Sequence, residues 1–410
     1  MFSGRVAQTA VLMAGILAAN YARTALGPVQ EALRIDLALS DNQVALLQGP
    51  ALALPVVVGA IPLGFLIDTC SRARLILLLA ALNVAGTALT SVVSSVPALF
   101  FARALVGLAA TATFTAVLSV VADLYPPHQR GRANTAVSVA QIAGMSTAFA
   151  LGGAVLERGE HAWREVMMVM AAPLVVATLL MLALREPPRL ETSGKELLRG
   201  GSDLQRLWGL RVSLGPLLVG MIGVETALGG AMTWAAPALS RTVGLSPGRI
   251  GGLMAASLAI SGVLGPILGG TLADFCHRKG GVRLTLKAVA CLAAASVPAA
   301  LFAVMLDIRW AGALLIVFLL LISAACVMGG TLFSIVAPGE LRGQAIAVMT
   351  AASILFAVGV APMAVSLLAL ALGGGAKLGS ALAWVSAATS GTAATVFARG
   401  RLDVEEPVHV

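Results

Sequence analysis

The sequence predicts an all-α membrane protein with twelve transmembrane helices in two pseudo-symmetric six-helix bundles. Three observations carry this. Hydrophobic residues make up 59% of the chain and charged residues 11%, against about 45–50% and about 25% in soluble domains. Apolar runs of spanning length recur along the whole chain. The segment Gly64-Phe65-Leu66-Ile67-Asp68-Thr69-Cys70-Ser71-Arg72 returns 206 positions later as Gly270-Thr271-Leu272-Ala273-Asp274-Phe275-Cys276-His277-Arg278. Both copies read G-x-L-x-D-x-C-x-R, and at the same offset Leu39-Ser40 matches Leu245-Ser246 and Gly59 matches Gly265. A repeat of half the chain means two homologous halves.

The twelve spans lie near 8–27, 42–67, 75–94, 98–122, 133–156, 165–184, 212–238, 249–272, 284–306, 311–335, 344–372 and 379–397. One Arg precedes the first run and no A-x-A-type site follows it, so that run reads as a retained helix. Gly49-Pro50, Pro55, Gly59 and Pro62 in the second span, and Gly262, Gly265 and Pro266 in the eighth, suit bending helices. Gly144, Ala148, Gly152 and Gly153 give the fifth span a face of small residues on which helices approach closely. The domains are residues 1–184, a linker at 185–211, residues 212–397 and a tail at 398–410. The linker holds ten charged residues, Arg185, Glu186, Lys195, Glu196 and Arg206 among them, and suits a short helix along the membrane surface.

The net charge of +8 in a soluble protein would suggest nucleic acid. Here the basic residues sit in short loops. Seventeen of the 27 Lys and Arg fall on the side that holds both termini and both repeated motifs, seven on the other, and Arg23, Arg103 and Lys287 lie in or at the edge of spans. The richer side is cytoplasmic, so both termini are expected inside a cell inner membrane. Cys70, Cys276, Cys291 and Cys326 imply no disulfide framework. His128, His161, His277 and His409 lie in loops or the tail, which leaves no metal site. No H-E-x-x-H, P-loop or other enzyme motif is present, and neither cofactor nor nucleotide domain is expected.

The Gly64–Arg72 loop and its copy are similar to the loops between helices 2 and 3 and helices 8 and 9 of the major facilitator superfamily. The first copy departs at Thr69 and Ser71, where the family has a basic residue and a Gly. The resemblance covers the whole chain and implies two six-helix bundles around a central cavity, working by alternating access. Asp68 ends a helix, and a carboxylate there suits the N-terminus of the helix starting near Arg342, where unpaired N–H groups and the dipole favour an anion. Asp274 would face the helix starting near Gly131-Arg132, and Arg72 would pair with Asp123. The P-x-x-x-R-G turns that carry Arg130 and Arg342, together with Arg278, complete the gating residues; plain loop charges and turns are the alternative.

Charges within spans point to substrate. Arg23 and Arg103 fall at similar depth in the first and fourth spans. An Arg in the bilayer costs about 2.5–3.5 kcal/mol on insertion scales, so it faces a cavity, a partner or, by snorkelling, the headgroups. Two guanidiniums without a carboxylate suit an anion. Asn20, Tyr21, Thr111, Gln141, Glu225 and Thr226 join them as candidate binding residues, with Thr113 and Thr115 continuing the Thr111 stripe. Glu225 is the acid placed deep in a helix and the candidate proton carrier; an interhelical pair is the alternative. Trp234 reads as an interfacial belt residue.

Asn20-Tyr21-x-Arg23, Arg103-x-x-x-Gly107, Trp163-Arg164 and Arg185-Glu186-Pro187-Pro188 also resemble the Spinster branch, which moves lysophospholipids and sphingosine phosphate. The drug-efflux branch is the second resemblance, through a degraded helix-5 motif with Ala148-Phe149 in place of its Gly-Pro. The Spinster branch has acids where this chain has Ala22 and Ala110; those acids belong to proton coupling, which leaves Glu225 or no coupling. The expectation is a monomeric secondary transporter, in contact with membrane lipids, that exports an amphiphilic or organic anion. Multidrug efflux of cationic or neutral compounds is the first alternative, and a non-transporting receptor on the same fold the second.

Overall fold

A computed structural model describes residues 4–159, 162–186, 206 and 208–400. Most of the linker, with its expected surface helix, and residues 401–410 of the tail lie outside the described residues. In chain order the helices are α1 (Arg5–Thr24), α2 (Gln30–Asp36), α3 (Asp41–Gln48), α4 (Pro50–Thr69), α5 (Arg72–Val92), α6 (Val96–Leu124), α7 (Pro127–Glu157), α8 (Trp163–Met181), α9 (Arg211–Val243), α10 (Pro247–Ala299), α11 (Ile308–Val336), α12 (Arg342–Ser353), α13 (Ala361–Ala371) and α14 (Leu378–Arg399).

Ten stretches among the described residues are long and apolar enough to cross a membrane. One of them, Pro247–Val304, is 58 residues long and covers two spans. It breaks at Gly280-Gly281, where Gly281 takes φ +59°, ψ −152°, a conformation open in practice to glycine alone. α1 has the length of a span, but Gln8, Asn20 and Arg23 dilute its hydropathy. Counted so, the chain has the twelve spans of the predicted fold.

Three details differ from the expected boundaries. The second span is two helices: Gly49 leaves helical geometry at φ −110°, ψ −94°, and Pro50 starts α4, where a missing N–H costs nothing. Before it lie the unforeseen short helix α2 and the start of α3, fixed by a capping box. Ser40 Oγ accepts from the Gln43 N–H at 3.2 Å and Gln43 Oε1 from the Ser40 N–H at 2.8 Å, the reciprocal pairing of an S-x-x-Q sequence. The eleventh span winds as a π-helix over Ile354–Val360 just before Pro362, whose absent N–H breaks the regular ladder.

Two compact units result. The first comprises residues 1–194, 236–259 and 373–376, the second 195–235, 260–372 and 377–410. In the first, α1 lies against α6, α7 and α8, and α5 against α6 and α8, around a core of Leu12, Ile16, Ile76, Leu79, Val117 and Val121. The small-residue face of α7 is a packing surface: a side chain at Gly144 would run into the Leu17 carbonyl of α1, and one at Gly153 would meet the Gly251 Cα at 2.8 Å. Glu157 closes the same α7 edge by accepting the Gly248 N–H at 2.8 Å in the first turn of α10.

At the other end of this unit a buried ionic network sets where α5 starts. Arg72, 3% exposed, donates to Asp123 at 2.5 Å and to Glu186 at 3.0 Å, and also to Ser119 Oγ at 3.1 Å. Glu186 Oε2 accepts from Ser71 Oγ at 2.9 Å and from the Ala73 N–H at 2.8 Å. A carboxylate on these groups caps the first turn of α5 and opposes its dipole. Burial pushes the Glu186 carboxyl upward, but the Ala73 N–H, Arg72 and Ser71 outweigh it and hold it below the usual carboxylate range.

Replacing Gly144 with Val forces a branched side chain into the Leu17 backbone and should cost at least about 2 kcal/mol. It should lower the thermal unfolding midpoint in detergent. Gly64→Ala, with open space around the new methyl, should not. Glu186→Gln should cost about 1–2 kcal/mol at neutral pH. Because the folded-state value is depressed, that contribution is present above the ordinary carboxylate pKa and is lost as pH falls through the folded value. Wild-type and variant stabilities should therefore converge on acidification, read as unfolding midpoints across a pH series.

Candidate functional site

Arg103 projects from the second turn of α6 and is 1% exposed. One of its terminal nitrogens, Nη2, donates to the Arg23 carbonyl at 2.7 Å and to Gln48 Oε1 at 3.1 Å. The first acceptor belongs to the last turn of α1, whose final carbonyls have no partner within the helix and whose dipole end favours a cation. The second extends inward: Gln48 Nε2 donates to Gln30 Oε1 at 2.9 Å. Gln30 and Gln48 are themselves buried. Sequence reading missed both amides. The capping box would have placed Gln48 at the end of α3, but nothing local marks Gln30 as buried.

This cluster is rich in donors and poor in acceptors. Arg103 Nε, Gln30 Nε2 and the Tyr21 hydroxyl are buried with no partner. Arg23, half-buried on α1, lies near enough for its charge to act on Arg103. Among the described residues no carboxylate bonds either arginine. A buried polar group without a partner costs about 1–3 kcal/mol, and a charge more. The arrangement thus holds buried donors for which the described residues supply no acceptor.

The remaining expected binding residues divide. Asn20 spends its amide on the Ile16 carbonyl at 3.0 Å, and Thr226 turns back to the Ile222 carbonyl at 2.6 Å. Thr113 and Thr115 likewise bond carbonyls one turn back on α6, the usual satisfaction of a hydroxyl within a helix. Thr111 and Gln141 are half-buried. Glu225 belongs to the second unit, half-buried on α9, and its carboxyl bonds the Cys326 thiol of α11. Trp234 is not an interfacial residue. It is fully buried and donates from Nε1 to the Pro362 carbonyl at 2.9 Å.

Of the expected gating residues, Arg72 and Asp123 form the pair described above. Arg130 closes its own turn on the Tyr125 carbonyl at 3.1 Å, and Asp68 is half-buried. Asp274 and Arg278, whose Nε donates to the Asp274 carbonyl at 3.3 Å, line a cleft of about 250 Å³ with His277, Thr285 and Thr331. Arg342 is exposed at the start of α12. The Trp163-Arg164 pair is structural: Arg164 covers the Trp163 ring at 4.4 Å and donates to the Ser91 and Val93 carbonyls at 3.0 and 2.9 Å, where α5 ends.

Sequence reasoning also missed an ionic cluster in the first unit. Arg241, near the end of α9, grips Glu31 through Nε and Nη2, the shortest contact being 2.8 Å. It grips Asp41 through Nη1 and Nη2 at 2.9 and 2.7 Å, and also meets the Gly375 carbonyl at 3.3 Å. Arg34 adds a second cation on Glu31 at 2.7 Å. Burial raises the Glu31 carboxyl, but Arg241 and Arg34 hold it below its ordinary value.

Comparison with known proteins fits this architecture. The Major Facilitator Superfamily profile matches residues 12–362. Among solved structures, a bacterial homolog of the human lysosomal transporter Spinster, inward-facing and unoccupied, aligns at 21% identity over 96% of this chain and 94% of its own, with a TM-score of 0.75. A D-xylose–proton symporter aligns at 18% identity over 97% and 100% with a TM-score of 0.71. The nucleoside transporter NupG aligns at 12% over 96% and 97% with a TM-score of 0.74. No curated protein matches the sequence significantly. The profile match over most of the chain, on a helical fold shared with transporters of different solutes, places this protein in the Major Facilitator Superfamily, a transporter rather than an enzyme.

Proposed function

We propose that the chain is a secondary transporter that carries a small organic or single-chain amphiphilic anion across the inner membrane by alternating access. Both termini are cytoplasmic, and residues 1–184 and 212–397 act as the two bundles. The observation that carries this reading is the donor-rich cluster around Arg103. Its guanidinium is buried with a carbonyl and an amide as its acceptors, Arg23 stands by without a carboxylate, and three buried donors have no partner. A phosphate or carboxylate headgroup supplies the missing acceptors, and a planar fork receives either bidentately. The resemblance of Asn20-Tyr21-x-Arg23 and Arg103-x-x-x-Gly107 to the Spinster branch keeps a lipid-like anion among the candidates. Arg72, Asp123, Asp68, Arg130, Asp274, Arg278 and Arg342 serve the cytoplasmic gate in this reading.

Glu225 favours a second reading. A carboxyl held inside the second unit suits a cationic substrate or a transported proton. The two readings part in a ligand-induced thermal-shift screen with dodecyl phosphate, oleate and ethidium. Dodecyl phosphate or oleate should stabilise the wild type. Arg103→Gln or Arg23→Gln should weaken that binding about tenfold or more, as loss of a charge-assisted bond does, and Glu225→Gln should leave it intact. Stabilisation by ethidium that is lost in Glu225→Gln and kept in Arg103→Gln would establish the rival. Counterflow of the stabilising compound in proteoliposomes then separates a transporter from a receptor. If Glu225 carries the coupling proton, Glu225→Gln should flatten the pH dependence of that flux; an unaltered profile removes Glu225 from coupling.

A further inference from the structure

The short helices α2 and α3 touch two guanidiniums of opposite character. Gln30 and Gln48 reach the under-satisfied Arg103; Glu31 and Asp41 hold the fully engaged Arg241. Gln30 and Glu31 are consecutive, the first two residues of α2. Asp41 and Gln48 are the first and last residues of α3, about 10 Å apart along its axis. α3 therefore has a carboxylate end and an amide end, while α2 presents its amide and its carboxylate from adjacent positions in its first turn. The capping box at Ser40 fixes the start of α3, and the 2.9 Å bond between the two glutamines joins α2 to the far end of α3.

From this placement we propose that the α2–α3 hairpin is a connector that transmits the state of the Arg103 cluster to the Arg241 clasp, with Gln30 and Gln48 as its positioning residues. The argument turns on competition for donors. Arg103 Nη2 bonds neutral acceptors, the Arg23 carbonyl and Gln48 Oε1. An anion beside it makes charge-assisted bonds roughly twice as strong as neutral ones and draws the guanidinium from Gln48. The buried Gln48 Oε1 then lacks its donor, while Gln30 Nε2, already without an acceptor, is free to turn toward it. Re-pairing the two amides moves α2 against α3. Arg241 is gripped by both helices at once, by Glu31 beside Gln30 on α2 and by Asp41 at the opposite end of α3 from Gln48. Forked pairing of two carboxylates on one guanidinium tolerates little displacement, so a shift of one helix against the other loosens the clasp. What is released is the stretch 236–259, which packs with the first unit though it belongs to the second half of the sequence.

The part concerning ligand rests on the anion reading; the mechanical link between the two arginines does not. Hydrogen–deuterium exchange on the full chain in lipid nanodiscs tests both. Arg103→Gln should speed exchange at least about fivefold in residues 30–48 and in 236–251, an effect of the size typical of coupled sites, while α5 at 72–92 stays as in the wild type. Arg241→Gln should in return speed exchange around Gln30 and Gln48, since coupling is reciprocal. The connector is overturned if Arg103→Gln alters 30–48 but leaves 236–251 unchanged, or if 72–92 loosens equally and the change is global. In the ligand arm, dodecyl phosphate should accelerate both stretches in the wild type and only the first in Gln48→Leu. If dodecyl phosphate changes nothing while Arg103→Gln behaves as expected, the anion reading fails and the connector stands.

Discussion

A guanidinium taken out of water must be met by acceptors, and the first unit is organised around that requirement. Leaving one uncompensated costs several kcal/mol, more than a helix cap or a well-packed methyl returns. The chain answers it in three ways. Arg72 is surrounded by Asp123, Glu186 and Ser119, which ties the ends of α5, α6 and α8 together. Arg164 donates to the last carbonyls of α5 and to Ser94 Oγ, with Asp36 at 3.9 Å. Arg241 gathers two carboxylates from two short helices. Each of these is a closed account of charge, and each fixes where helices begin, end or meet. Arg103 is the exception: it is more buried than any of them yet holds one carbonyl and one amide.

Packing explains why such networks can be placed so accurately. Small residues let helix backbones come together where a side chain would hold them apart: Gly107 of α6 leaves 2.5 Å between its missing Cβ and the Leu52 carbonyl, and Gly251 does the same against Phe149. In a lipid environment the hydrophobic effect does not press helices together. Close backbone approach and polar bonds between helices do that work, and the two are found side by side along α7, where Gly153 meets Gly251 and Glu157 meets the Gly248 N–H.

The sequence was a good guide wherever a physical rule is local or repeated. Apolar runs marked the spans, and the pairing of Arg72 with Asp123 was legible because a cation that opens one helix needs an acid and Asp123 stands at the end of another. It failed where position depends on a break in regular geometry. Pro50 and Gly49 split the second span, and the eleventh winds as a π-helix just before Pro362. Trp234 reads as an interfacial residue by its type; it is buried, with its N–H on the Pro362 carbonyl 128 positions away. The same limit hid the hairpin. Gln30, Glu31 and Asp41 sit in what looks like an ordinary polar connection, and the arginine that joins Glu31 to Asp41 lies 200 or more positions away.

Arg103 and Arg241 together suggest why a transporter would leave one guanidinium unfinished. A site that satisfied its arginine with a carboxylate would bind an anion only by breaking an ion pair, losing most of what it gained. A site with no acceptors at all could not fold around the charge. Holding Arg103 on a helix-terminal carbonyl and an amide lies between these limits: the charge is tolerated in the empty protein, and an incoming anion improves on neutral bonds instead of replacing ionic ones. The acids that would have closed the account are at Glu31 and Asp41, on the same two helices, but committed to a different arginine. In the proposed reading specificity and movement share one residue, because Gln48 both accepts from Arg103 and donates to Gln30, the neighbour of Glu31.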